Sequence, residues 1–243
     1  MQQDFEVAVD AAETTEALWK AFGDYFHASA VKRLTYLHLP PLGALDDRRP
    51  DMKSHGVPDE AIEQYLAGRH YRDNPILQRA QRSAEPVYWD EIDDMVLSAN
   101  EKYFVEEFQK VGLRYGVGIP AHGPDGRRGQ FGLGFGGDVR RLDRAVLADY
   151  RWVCQLTHLR YCALILPTLG PLPELSNRET EVLAWVARGK SNGTIGQILG
   201  ISANTVDAHL RRIYLKLGVF DRISAAVRGI GVGLIHAETG LTA

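Results

Sequence analysis

The sequence predicts an α+β chain: an N-terminal α/β/α sandwich on an antiparallel sheet, then a small all-α domain. Two observations carry this reading. Along residues 1–166 the apolar period shifts between about two and about 3.6, with strands in meander and helices before and after them. Beyond a Pro-rich break, residues 175–243 read as four short amphipathic helices punctuated by Gly and Ser.

Glu13 to Ala28 reads as an opening helix, followed by a β-like run, LTYLHL, at 34–39. A Pro/Asp/Arg-rich loop is expected from Pro40 to Pro58. Residues 59–71 and 75–82 have helical spacing, and EPVYW (85–89) is short and extended. Residues 98–112 open on Ser98 and Glu101 in the S-x-x-E capping arrangement and stop at Gly112. LRYGVGIPAHG and GQFGLGFGG flank the turn PDGRRG as a hairpin. A long helix over 142–166 is apolar around much of its circumference, so one face suits the sheet and another suits a second subunit. PTLGPLPEL then interrupts the helical pattern, because Pro167 cannot continue a helix and Pro171 and Pro173 favour extended backbone. The expected organisation is a domain at 1–166, a linker at 167–174 and a domain at 175–243.

In the C-terminal piece, Val206, Leu210, Ile213 and Leu217 recur at spacings of four, three and four, which makes one buried stripe. Asn204, Thr205, His209, Arg211, Arg212 and Lys216 face outward, with Ser202 placed to cap the helix start. A helix, a Gly-centred turn and a second helix of this character form a helix-turn-helix suited to the major groove. Thr205, His209 and Arg211 are expected at base edges, and Arg212, Lys216 and Lys190 on phosphates. Asp207 is a departure that repels phosphate and suits a cytosine amine.

Charge supports the assignment of double-stranded DNA to this piece. Residues 174–243 hold eight Lys/Arg against six Asp/Glu, leaving 20 against 25 for residues 1–173. A net of +2 is weak for one DNA-binding module. A homodimer on an inverted repeat is therefore expected, with RNA polymerase as a further candidate partner. No apolar run reaches the roughly 18–20 residues of a membrane span, and the N-terminus lacks the pattern of a secretion signal, so a cytoplasmic protein is expected. Cys154 and Cys162 read as two buried free thiols, with no histidine partner at metal-ligand spacing and no metal expected. There is no G-x-S-x-G, paired-His motif or nucleophile–base pair, so no catalytic residue and no cofactor are assigned. The run GLGFGG (132–137) ends a strand instead of opening a helix, which excludes a dinucleotide loop. Residues 1–165 also lack the βα alternation of a phosphorylated receiver.

The C-terminal segment resembles the DNA-binding domain of the LuxR family. The motifs that carry it are LS-x-RE-x-EVL at 175–183, W-x-A-x-GKS at 185–191, I-x-x-x-LGIS-x-x-TV-x-x-H at 195–209, KLGV at 216–219 and GLI at 233–235. One departure is Thr194, where an acidic residue is usual; it is expected to cost a helix-end interaction. The first 165 residues resemble the autoinducer-binding domain of the same regulators, on Tyr65, Pro75, Trp89, Gly129 and the block 101–135. The resemblance implies a transcriptional regulator of quorum sensing whose ligand is an acyl-homoserine lactone or a related small diffusible signal. It also implies that a Trp indole donates to the lactone carbonyl, an Asp carboxylate accepts from the ligand amide, a second Trp walls the ring and Tyr side chains line the rest. This chain keeps Trp89 and Tyr65, has Asn74 before Pro75 where Asp is usual, and places Ala61 and Ile62 where the donating indole falls. Asn74 reads equally as a helix cap and as a ligand contact through its amide oxygen. Gly129 and Gly132 are expected to leave room for a ligand or for close helix packing. The alternative is a ligand-independent regulator whose N-terminal domain is purely structural.

Overall fold

The computed structural model describes residues 1–47, 51–110, 112–137 and 139–236. Among the described residues no helix is long and apolar enough to cross a membrane. The chain divides into two compact units.

The first unit is an α/β/α sandwich. Its sheet runs β2-β1-β5-β4-β3, from β1 (Val31–Leu39), β2 (Asp51–His55), β3 (Val87–Tyr88), β4 (Gly116–His122) and β5 (Arg128–Phe135), with every pairing antiparallel. One face is covered by α1 (Gln2–Ala11), α2 (Thr15–Phe26) and α6 (Arg144–Ile165). Phe22, Phe26, Tyr36, Phe131 and Tyr150 fill that layer as tilted and edge-on aromatic contacts. The other face carries α3 (Asp59–Ala67), α4 (Pro75–Ser83) and α5 (Ala99–Lys110), packed around Ile76, Trp89, Ile92 and Leu113.

Several expectations shift in detail. The opening helix spans Thr15–Phe26 because Thr14 Oγ1 accepts from Ala17 N at 3.1 Å and sets the start. The preceding α1 was not expected; Phe5 and Val9, four apart, fix it onto α6. The proposed loop at 40–58 contains β2, an edge strand without clear apolar alternation. Trp89 does not continue the strand but opens a 3-10 turn to Asp94. Phe5 meets Trp152 edge-on at 6.0 Å, so α1 covers part of the α6 surface assigned above to a partner subunit. Val146 and Leu159 remain exposed on α6.

The second unit gathers residues 169–236 and also the loop at 40–47, where Arg228 Nη1 donates to the Gly43 and Ala44 carbonyls at 3.0 and 3.2 Å. The last residues of the expected C-terminal domain, 237–243, lie outside the described residues. Its helices are α7 (Asn177–Ala187), α8 (Asn192–Leu199), α9 (Ala203–Leu217) and α10 (Arg222–Gly231). Each start is capped by a side chain: Ser176, Ser191, Ser202 and Asp221 accept from backbone N–H groups of their first turns. Gly200 closes α8 in the left-handed region at φ +68°, the turn that allows α9 to follow after two residues. Val206, Leu210, Ile213 and Leu217 are buried as the stripe requires.

Candidate functional site

Between the sheet and the layer of α3, α4 and α5 lies a cavity of about 140 Å³. A single water needs roughly 10–15 Å³ on that measure, so the space suits a ligand of about ten water-sized groups. Ile62, Leu77, Trp89, Phe104 and Leu113 supply apolar walls, and Thr35, Tyr65, His70, Asn74 and Gln130 supply polar ones. A few convergent polar groups in an apolar cavity is the build that orients an oily ligand.

Of the residues expected there, Ala61, Ile62, Tyr65, Asn74, Trp89 and Gly132 all line the cavity. Trp89 is buried and meets Phe108 edge-on at 5.0 Å. The strand glycines make room for its indole. A β-carbon at Gly116 would lie 2.6 Å from Trp89 Cζ3, and one at Gly134 would lie 3.2 Å from Cη2. Gly129 is a correction. Strand alternation turns it to the opposite face, where a β-carbon would meet His158 Nδ1 at 2.7 Å and the Tyr36 ring at 2.9 Å.

Asn74 is also more committed than expected. Its Oδ1 accepts from Ile76 N at 3.0 Å and Leu77 N at 3.1 Å, capping α4, while Nδ2 donates to Tyr65 Oη at 3.1 Å. The oxygen meant for a ligand amide is thus occupied by the helix start. Burial pushes the Tyr65 phenol up, so it stays protonated at neutral pH and its O–H can donate inward. Thr35, His70, Tyr103, Glu107 and Gln130 were not expected in the lining. They come from β1, a 3-10 turn, α5 and β5, and only the period-two phase shared by Thr35 and Leu37 gave any signal for one of them.

A second correction concerns the cysteines. Both are buried and neither is in a disulfide, and Cys162 has a histidine partner one helical turn away. His158 Nε2 lies 3.7 Å from Cys162 Sγ. Burial, with His38 next, pushes the His158 imidazole down to about 4, although a hydrogen bond to the Arg127 backbone works the other way.

In the second unit, Asn204, Asp207, Ala208, Arg211 and Arg212 share one shallow outward-facing depression on α9. Ser202 Oγ accepts from Thr205 N at 3.0 Å and hydrogen-bonds Thr205 Oγ1 at 2.8 Å. Asp207 faces its own helix: its Oδ2 pairs with Arg211 Nη2 at 2.7 Å. Arg212 Nη2 lies 3.2 Å from His209 Nδ1. Lys216 reaches the buried Glu179 at 2.7 Å yet stays 40% exposed, so it remains accessible from outside. Lys190 is exposed at the end of the α7–α8 turn. Thr194 does not forfeit its helix end, because Ser191 Oγ lies 2.9 Å from its hydroxyl and accepts from its N–H at 3.2 Å.

A ligand-sized cavity in one unit and an outward-facing, polar second helix of a helix-turn-helix in the other define a signal-responsive DNA-binding regulator. Comparisons with known proteins agree. The family model "Autoinducer binding domain" matches residues 14–161, and "Bacterial regulatory proteins, luxR family" matches residues 173–228. The transcriptional activator AhyR of Aeromonas hydrophila is 30% identical over 73% of this chain and 71% of its own length. The HTH-type transcriptional regulator y4qH of Sinorhizobium fredii is 32% identical over 74% of this chain, an alignment spanning 55% of that longer protein. The crystal structure of Escherichia coli SdiA superposes at TM-score 0.74 with 20% identity, covering 95% of each chain. The chain belongs to the LuxR family of quorum-sensing transcriptional regulators.

Proposed function

We propose that the chain is a cytoplasmic, non-catalytic regulator that acts as a homodimer on inverted-repeat DNA and is switched by a compact amphiphile whose headgroup is not a simple homoserine lactone. The observation that carries the headgroup is the cavity wall at Ala61 and Ile62, where the family places a donating indole and neither side chain here can donate. A lactone carbonyl buried there would go unpaired, a cost of roughly 1–3 kcal/mol, or about one to two decades in affinity. The Asn74 side chain is neutral and its oxygen already accepts from two backbone N–H groups, so the position where the family places an Asp offers a ligand amide no charged acceptor. Donors in the lining include the Tyr65 and Thr35 hydroxyls and the Gln130 amide, which suit hydroxylated or other acceptor-rich headgroups. SdiA, similar in fold, is described in complex with octanoyl-rac-glycerol, an acyl ligand without a lactone.

On DNA, Thr205, His209 and Arg211 are assigned to base edges, and Asn204, Arg212, Lys216 and Lys190 to the flanking groove and phosphates. The test of the ligand reading is a melting survey of the purified chain with acyl-homoserine lactones, monoacylglycerols and aryl or hydroxylated signals. It is paired with mass spectrometry of molecules that co-purify. A ligand at a hundred times its Kd adds about 2.7 kcal/mol, a shift of several degrees. Ala61→Trp with Asn74→Asp should move preference toward simple lactones. Nanomolar binding of such a lactone by the unaltered chain would overturn the headgroup assignment, and stabilisation by none of these classes would favour a structural sensor domain.

A further inference from the structure

On the sheet face opposite the cavity, three buried side chains of the first unit converge: His38 from β1 and His158 and Cys162 from α6. One donor atom from each lies within 4.8 Å of the others. In a tetrahedral or trigonal centre with metal–nitrogen near 2.0–2.1 Å and metal–sulfur near 2.3 Å, donors stand about 3.3–3.8 Å apart. The 3.7 Å between His158 Nε2 and Cys162 Sγ already meets that spacing. The two imidazole centroids are 6.0 Å apart, near enough for both rings to reach one ion.

The surroundings are built to hold these donors. The Tyr36 hydroxyl, itself buried, lies 2.8 Å from His158 Nδ1 and 3.3 Å from His38 Nδ1, so one group steadies both rings. Gly123 leaves open the space beside the donors: a β-carbon there would sit 2.8 Å from His158 Nε2 and 3.0 Å from Cys162 Sγ. Gly123 is half-buried, next to exposed His122 at the end of β4, so the donors lie close to the sheet rim.

We propose that His38, His158 and Cys162 form a binding site for one thiophilic cation, Cu(I), in the sensor unit. Two imidazoles and a thiolate are soft to borderline ligands, which select Cu(I) or Zn(II) over hard cations. Charge decides between those two. When Cu(I) binds, it replaces the Cys162 thiol proton, which leaves to solvent, so a neutral site stays neutral. Zn(II) would leave one net positive charge among three buried side chains, and an uncompensated buried charge is costly. Occupation would tie β1 to α6 from the side of the sheet that the signal does not enter.

The test uses the full chain, purified without oxygen and titrated with Cu(I) against a chromophoric chelator, with X-ray absorption at the copper edge. One equivalent bound by one sulfur and two imidazole nitrogens is expected. Cys162→Ala should weaken retention by about 100-fold or more, and Tyr36→Phe by about 10–100-fold, the range for lost support behind a ligand. Cys154→Ala, which removes the other buried thiol of α6, should leave affinity unchanged. If Cys162→Ala fails to fold, the absorption spectrum of the unaltered chain and the Tyr36→Phe titration decide. No stoichiometric retention, a shell lacking sulfur, preference for Zn(II) in direct competition, or full affinity in folded Cys162→Ala would each overturn the site.

Discussion

Glu179 is the most tightly held charge of the DNA-binding unit. Its side chain is buried, accepts from Ser176 N at 2.8 Å, and faces Lys216 at 2.7 Å and Arg212 at 3.8 Å. Burial alone would raise its carboxyl, but the Lys216 and Ser176 hydrogen bonds outweigh it and leave the group below the usual 4.5. A carboxylate lowered in the folded state contributes stability that is complete above its unfolded value and is lost as pH falls through the folded one. Glu179→Gln should cost about 1–3 kcal/mol at neutral pH by weakening the charge-assisted contacts of this buried side chain with Lys216 and Arg212. It should also flatten the acid limb below about pH 4.5 in thermal melts. An unchanged acid limb would show that other carboxylates govern it. Gly116 makes the corresponding prediction for the sensor unit. A β-carbon there would meet the Leu133 carbonyl oxygen at 2.5 Å as well as the Trp89 ring, and backbone cannot move aside cheaply. Gly116→Ala should therefore destabilise by about 1–3 kcal/mol and quench or shift Trp89 emission. A neutral effect on both would mean the indole is not held as described.

At the scale of elements, α9 was the most legible part of the chain and the cavity the least. A single helix carries its own stripe, so Val206, Leu210, Ile213 and Leu217 declare both the buried and the outward face. The cavity draws on β1, α3, α4, α5 and β5, and its polar lining meets only after folding. Gly129 reads equally as room for a ligand or for helix packing because a glycine gives no apolar phase, and it packs against α6. Strand β2 lay hidden because an edge strand has no buried row to alternate. His158 stands one helical turn from Cys162 in plain view, but without His38 from a distant strand the pair is only half a site. On α9 the Asp207–Arg211 pair sharpens the DNA prediction. Arg211→Ala should cost about 1–3 kcal/mol on a preferred duplex and less on random sequence, the signature of the base contact proposed for it. Asp207→Asn should raise affinity for random duplex by removing a negative charge and releasing the Arg211 guanidinium, with little change in melting, because an exposed pair contributes roughly 0–1 kcal/mol. Equal losses on both duplexes for Arg211→Ala would place that guanidinium on phosphate alone.

For the whole molecule, charge and helix surface point to dimerisation with unequal force. The apolar girth of α6 is a weaker argument than its sequence suggests, because α1 and α2 already cover much of it and leave mainly Val146 and Leu159 exposed. A C-terminal segment with eight Lys/Arg against six Asp/Glu, several of them engaged in pairs, releases few counterions from DNA. One copy should accordingly bind duplex weakly and with a shallow salt slope, whereas two copies on an inverted repeat double the phosphate contacts. Half-site centres should lie about one helical turn, roughly 34–36 Å, apart, because each copy must present its α9 to the same side of the duplex. Inserting five base pairs between half-sites turns one copy to the opposite face and should abolish tight binding, while ten should restore part of it. Sedimentation at micromolar concentration should give a dimer on the repeat, and the logarithmic salt slope there should be about twice that on a single half-site. A monomeric mass on the inverted repeat, or equal slopes on the two duplexes, would show that a single copy reads DNA unaided.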